Sequence, residues 1–130
     1  MNRFAMNLLL DSHTLLWALH APEKLAAAAR MAIENGANPI FYSAASVWEL
    51  AIKSAKGLLH LEVDFLDAVD QARFSELPVR AQHAWAAGSL PAIHSDPFDR
   101  ILVAQAKIER LTLVTRDRFL RDYQVSILVA

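Results

Sequence analysis

The residues in this chain best suited to chemistry are acids set far apart in sequence: Asp11, Glu49, Asp99 and Asp117, with Asp96 close to the third of them. Asp11 directly follows the apolar run Leu8-Leu9-Leu10, and Asp117 follows the run from Leu111 to Thr115 after the single residue Arg116. Both therefore sit where a strand ends. Glu49 projects from a helix after a second short strand, and Asp99 from the first turns of a helix opened by Asp96 and Pro97. Carboxylates brought within a few ångströms repel, and each is driven toward its neutral form unless a cation offsets the charge. Oxygen ligands, with no cysteine in the chain and no histidines at ligand spacing, select Mg2+ or Mn2+ over zinc. Such an ion acidifies a water, polarises a phosphoryl group and stabilises a leaving oxygen, so hydrolysis of a phosphodiester is the reaction this set fits.

Each acid also has a plainer reading. Asp11 suits the N-cap of the first helix, and Asp96 suits the cap of a helix with Pro97 in its first turn. Glu49 is spaced to pair with Lys53 at i+4, and Asp99 beside Arg100, or Asp117 between Arg116 and Arg118, could be solvated ion pairs worth little. The joint placement at one sheet edge favours the functional reading. Arg116, Arg118 and Arg121 surround the expected site, where they could grip phosphate, although surface arginines near a turn are equally ordinary. His13 and His94 lie close enough to Asp11 and Asp96 for proton transfer, with structural hydrogen bonding the plainer role. Trp17, Trp48 and Trp85 could stack on bases, but tryptophans at helical apolar positions more often pack a core or an interface.

The elements that must position these residues alternate. Strands are expected at residues 7–10, 40–42, 76–79, 111–115 and 125–129. Helices are expected at residues 12–20, from Pro22 to the Asn35-Gly36 pair, from Ser43 to just before Gly57, at 61–74, at 80–87 closed by Gly88, from Asp96 onward, and as a turn at 118–121. In the helix after Asp96, the positions Phe98, Ile101, Leu102, Gln105 and Ile108 describe one mostly buried face. Short, nearly all-apolar strands alternating with helices imply an α/β fold whose central parallel sheet is covered on both faces. Ligands of such sheets gather beyond the carboxyl ends of the strands, where strand order reverses.

A length of 130 residues suits one domain, with residues 1–5 as a poorly ordered extension and Met6 as an alternative start. The apolar runs are too short for a membrane-spanning helix, and the start lacks a signal-peptide layout, so a cytoplasmic protein is expected. A net charge of -1 supplies no broad basic field, which confines any nucleic-acid contact to a local patch. The hydrophobic share of 55% leaves apolar surface to cover, in an oligomer or by a partner.

Four segments together resemble a known family: Leu9-Leu10-Asp11-Ser12-His13-Thr14, Ser46-Val47-Trp48-Glu49, His94-Ser95-Asp96-Pro97-Phe98-Asp99-Arg100 and Val114-Thr115-Arg116-Asp117. They resemble the PIN domain, in its VapC-like toxin branch, from about Met6 to the C-terminus. The resemblance implies a three-layer α/β/α sandwich and a site of three or four acids that binds Mg2+ or Mn2+. By position, Asp11, Glu49 and Asp99 match the three core acids and Asp117 the more variable fourth; Asp96 belongs to the branch motif. Ser12 stands where threonine is expected, a change that keeps the hydroxyl. The implied activity is endoribonuclease, with an RNA substrate, a cognate antitoxin and a homodimer as partners; the alanine-rich stretch from Glu23 to Ile33 is one candidate docking face. Other classes fit less well. A phosphorylation receiver needs an Asp after its third strand and a Lys after its fifth, whereas here the third runs through Leu77-Pro78-Val79 into Arg80 and no Lys follows the fifth. A haloacid-dehalogenase-type phosphatase needs an Asp where His13 stands. A PIN-like fold serving only to bind protein is the remaining alternative.

Overall fold

A computed structural model describes residues 5–130. The expected N-terminal extension therefore lies largely outside the described residues; Ala5 precedes the first element without regular structure. Five strands, β1 (Leu8–Leu10), β2 (Ile40–Ser43), β3 (Ser75–Leu77), β4 (Thr112–Thr115) and β5 (Ile127–Val129), form one sheet in the order β3-β2-β1-β4-β5. Every pairing is parallel. The helices are α1 (Ser12–His20), α2 (Ala27–Glu34), α3 (Ala44–Ala55), α4 (Phe65–Gln71), α5 (Ala81–Ser89) and α6 (Pro97–Glu109), with 3-10 turns at Pro22–Lys24 and Arg118–Tyr123. The α/β sandwich with a central parallel sheet is thus the fold.

Alternation along β1 divides the core in two. Leu8 and Leu10 pack with Leu15, Ala29, Leu50, Phe65 and Val69 from α1, α2, α3 and α4. Leu9 points to the opposite face, where Leu113 lies beside it in register and Leu102, Val103 and Ala106 of α6 cover it with Leu120 and Tyr123. All three β1 leucines are fully buried, which is why this strand reads as a continuous apolar run. Order runs outward from β1 in both directions, to β2 and β3 on one side and to β4 and β5 on the other. The reversal point falls between β1 and β4, and there the crevice opens.

Several local expectations change in the fold. The alanine-rich helix does not start at Pro22: that residue opens a 3-10 turn, Leu25 and Ala26 are extended, and α2 begins at Ala27. Burial of Leu25 in the α1-side core holds the backbone out of the helix, overriding the alanines' propensity. The helix stops at the Asn35-Gly36 pair as expected: Asn35 closes α2 in an extended conformation and its side chain accepts the Ala37 N–H in a local turn. The helix expected over 61–74 shrinks to Phe65–Gln71. Strand β3 stops at Leu77, since Pro78 has no N–H to continue the ladder. Gly88 lies inside α5, which ends at Leu90, held extended by the following Pro91.

The inward face of α6 is also rotated from the one expected. Leu102, Val103 and Ala106 form it, with Ala104 and Gln105 also buried, whereas Phe98 and Ile101 are half-buried and Ile108 is exposed. Phe98 meets Trp48 edge to face, ring centroids 5.5 Å apart, and these two rings with Ile52, Val79, Pro97 and Ile101 line an apolar cleft between α3 and α6. Trp48 and Trp85 are outside the core, 64% and 82% exposed, while Trp17 packs against it. On α2, Ala29 is buried and Ala32 and Ile33 lean on the core, leaving Met31 in solvent.

Leu9→Ala and Leu10→Ala each remove a fully buried side chain from a different face of the sheet. Each is expected to lower unfolding free energy by about 2–5 kcal/mol, measured by urea denaturation.

Candidate active site

The edge formed by the carboxyl ends of β1 and β4 carries Asp11 and Asp117, and the starts of α1 and α6 bring up the remaining groups. Asp11 caps α1, its Oδ1 accepting the Thr14 N–H at 2.9 Å. Thr14, fully buried, donates its hydroxyl to the Val114 carbonyl at 3.1 Å and ties the start of α1 to the end of β4. Asp96 caps α6 by accepting the Phe98 N–H at 2.8 Å and the Asp99 N–H at 3.4 Å. Asp117 caps the 3-10 turn through the Phe119 N–H at 3.1 Å. The capping and the functional readings of these three acids are thus not alternatives, since one oxygen anchors the helix start while the carboxylate still faces the crevice.

Glu49 reaches the same place from the middle of α3, where it is buried. Its Oε1 accepts the Ser12 hydroxyl and its Oε2 the Lys53 ammonium, both at 2.9 Å. The pairing at i+4 is real, and it orients the acid rather than removing it from the site. A cavity of about 410 Å³ results, lined by Asp11, Glu49, Asp96, Asp99 and Asp117 together with Lys53 and His94. The structure therefore gathers every acid singled out in the sequence. Lys53 and Ser12 were missed as site residues; the i+4 spacing of Lys53 from Glu49 was the available signal.

Asp99 reports on the crowding. Burial, then the neighbouring Asp96 and, more weakly, Asp11 and Glu49, push its carboxyl up to about 7 from 3.8, against the opposing pull of His94. Donor chemistry and crowding fit a hard divalent cation, which would relieve this charge. Nε2 of His94 lies 3.0 Å from Asp117 Oδ2 and 3.6 Å from Asp99 Oδ2, so the three groups resemble a metal-ligand set. The other ring nitrogen decides otherwise: Nδ1 accepts the Asp96 N–H at 3.1 Å, which places the hydrogen of a neutral ring on Nε2. A ring in that state donates between Asp117 and Asp99 and holds them together.

The loop carrying His94 is itself clamped. Arg100 donates to the carbonyls of Ala87, Leu90, Pro91 and His94 at 2.8, 2.9, 3.0 and 3.3 Å. Tyr123 accepts the His94 N–H on its hydroxyl at 2.7 Å. Arg100 thus organises the loop and does not pair with Asp99. Arg116 lines the cavity, but its guanidinium donates to the carbonyls of Ala130, at 3.2 Å, and Lys24, and lies 4.0 Å from the Trp17 ring centroid. Arg118 and Arg121 are exposed at the rim beyond Asp117. His13 is exposed beside Trp17 at the cavity mouth.

A model of the family described as "PIN domain" matches residues 8–125, which span all the strands but the last. The chain belongs to the PIN-domain family. Among curated relatives, Ribonuclease VapC22 of Mycobacterium tuberculosis is 31% identical over 127 residues, covering 89% of this chain and 91% of that protein. Solved structures share the PIN fold at lower identity. The crystal structure of VapBC2 from Rickettsia felis, bound to a DNA fragment from its promoter, superposes with a TM-score of 0.71 at 19% identity, covering 95% of this chain and 98% of the other. FitAcB from Neisseria gonorrhoeae gives 0.60 at 22% identity, over 93% and 96% of the two chains. Among the described residues, no helix of this PIN domain is long and apolar enough to cross a membrane.

Two measurements test this description. Arg100→Lys keeps the charge but not the planar fork, so it is expected to cost about 1–3 kcal/mol in urea denaturation through carbonyls left unpaired. The second concerns pH. The folded Asp99 holds its proton up to about 7 whereas the unfolded chain loses it near 3.8, so this group's contribution is most favourable at low pH and is lost as pH rises through that window. In chelator, the stability of Asp99→Asn relative to the parent is expected to climb between those values and level off above about 7; a flat difference would contradict the assignment.

Proposed function

We propose that this PIN-domain protein is an endoribonuclease that uses Mg2+ or Mn2+ to hydrolyse RNA phosphodiester bonds, acting as a single domain in the cytoplasm as the toxin of a toxin–antitoxin pair. One observation carries the reading: Asp11, Glu49, Asp99 and Asp117, delivered by separate elements, line one cavity at the reversal point of the sheet. The whole-length similarity to a protein named as a ribonuclease supports it.

Asp11, Glu49, Asp99 and Asp117 would hold the cation, with Asp96 in a lesser role. When bound, the cation supplies an acidified water and polarisation of the scissile phosphoryl group. This chain's own residues do the rest. Ser12 and Lys53 fix both oxygens of Glu49, so the acid meets its target without reorganising. His94 keeps Asp99 and Asp117 at a set separation, and the caps on α1 and α6 prevent Asp11 and Asp96 from turning away. Arg118, at the rim, is placed to meet a substrate phosphate, whereas the guanidinium of Arg116 is already engaged by two carbonyls and Trp17.

The likeness to solved structures described as VapBC supports an antitoxin partner for this chain, and the apolar share of the sequence is compatible with a homodimer as well. The apolar cleft between α3 and α6, beside the cavity, has the chemistry to receive a helix of such a partner.

Purified protein is expected to cleave single-stranded RNA with Mn2+ or Mg2+ and to stop in chelator. Losing a residue in a metal's outer shell typically costs about 10–100-fold. Asp11→Asn, Glu49→Gln and Asp99→Asn should each lower kcat/KM by about a hundredfold or more while circular dichroism stays unchanged. Undiminished cleavage in all three variants would refute the site.

A further inference from the structure

The segment just past the acidic site combines three features that the catalytic chemistry does not use. Phe119 is 74% exposed, although the next residue, Leu120, is fully buried and already anchors the segment in the core. Its ring contributes nothing to packing that Leu120 does not supply. On either side of it, Arg118 and Arg121 are exposed, and among the described residues neither is in an ion pair. Arg100 and Arg116, the other arginines near the site, have structural partners: Arg100 clamps the His94 loop, and Arg116 is bound by carbonyls and Trp17.

Position gives these features meaning. Arg118, Phe119, Arg121 and Asp122 line a second cavity, of about 470 Å³, and Arg116 and Asp117 line both it and the acidic one. The two cavities are therefore neighbours, with Arg116 and Asp117 on the boundary between them. Asp117 also ties them mechanically, because the oxygen that accepts the Phe119 N–H belongs to the carboxylate whose other oxygen meets His94. The backbone of Phe119 is thus held at a set place relative to the acids, and its exposed ring offers a flat face on which an unpaired base can stack. Guanidinium groups beside the ring suit the phosphates that join successive nucleotides. Asp122 offsets part of that charge, so the patch grips a strand locally rather than attracting any polyanion. A wholly apolar surface would suit a protein partner better, and the α3–α6 cleft has that character; this one does not.

We propose that Arg118, Phe119 and Arg121 form a nucleotide subsite for single-stranded RNA, in which a base flanking the scissile linkage stacks on Phe119 and its phosphates meet the two guanidinium groups. The subsite rests on the ribonuclease reading and adds the requirement that the flanking base be unpaired.

Fluorescence anisotropy with labelled single-stranded oligoribonucleotides tests it, in a Glu49→Gln background that prevents cleavage. Stacking on an aromatic contributes enough that Phe119→Ala should weaken binding by between about fivefold and a hundredfold, Phe119→Leu should do nearly the same, and Phe119→Trp should restore it. Arg118→Ala and Arg121→Ala should each reduce the slope of log affinity against log salt by about 0.7. An oligonucleotide scanned with a single abasic residue should show one flanking position at which affinity drops in the parent but not in Phe119→Ala. Unchanged affinity in Phe119→Ala overturns the subsite, as does an abasic penalty that persists in that variant, or a variant that weakens only self-association in ultracentrifugation. Failure of the two readings is distinguishable: with Glu49 intact, a protein that cleaves no RNA loses the ribonuclease assignment and the subsite with it. One that cleaves a long single strand equally well with and without Phe119 loses only the subsite.

Discussion

Mutual repulsion among carboxylates that the fold nevertheless holds together is the constraint on which the rest of this structure depends. Asp11, Glu49, Asp96, Asp99 and Asp117 share one crevice, and left to themselves they would separate or take up protons. The fold resists the first outcome with hydrogen bonds to carboxylate oxygens: backbone N–H groups at the starts of α1 and α6 and of the 3-10 turn, the Ser12 hydroxyl, and the cationic Lys53. The second outcome is favoured at Asp99, whose burial and acidic neighbours raise its carboxyl. A site prepared in this way is unfavourable when empty of positive charge and correspondingly favourable toward a small hard cation.

Capping is the economical part of the arrangement. A helix that begins immediately after a strand must satisfy its first N–H groups, and an aspartate at that junction does so with one oxygen while the other remains outward. Because parallel strands place all such junctions on one edge of the sheet, caps and ligands coincide there as a matter of topology. The reversal of strand order between β1 and β4 then leaves a gap at that edge that no crossing helix fills.

Around this centre the neutral and cationic groups divide the work. His94, with its tautomer set by the Asp96 N–H, bridges two acids; Arg100 and Tyr123 hold the loop that supplies it; Arg116 secures the C-terminal residue against the turn after α1. Arginines that look interchangeable in sequence thus perform different tasks according to whether carbonyls or solvent surround them. Of the arginines beside the site, Arg118 and Arg121 face solvent and are free to meet a substrate.

The chain's sequence alone determined the α/β class, the five strands, and the acids worth pairing, because short apolar runs ending in aspartate and the Asp96-Pro97 helix start are local signals. Periodicity, propensity and capping act over a few residues and can be read from a few residues. Tertiary structure decided what depends on distance through space: that Leu25 interrupts a helix its alanines favour, that the inward face of α6 turns away from Phe98 and Ile108, that Ser12 reaches Glu49, and that His94 meets Asp117. Each of these is set by groups tens of residues away in the chain, whose energies of burial and hydrogen bonding exceed local preference by more than a single-residue pattern encodes.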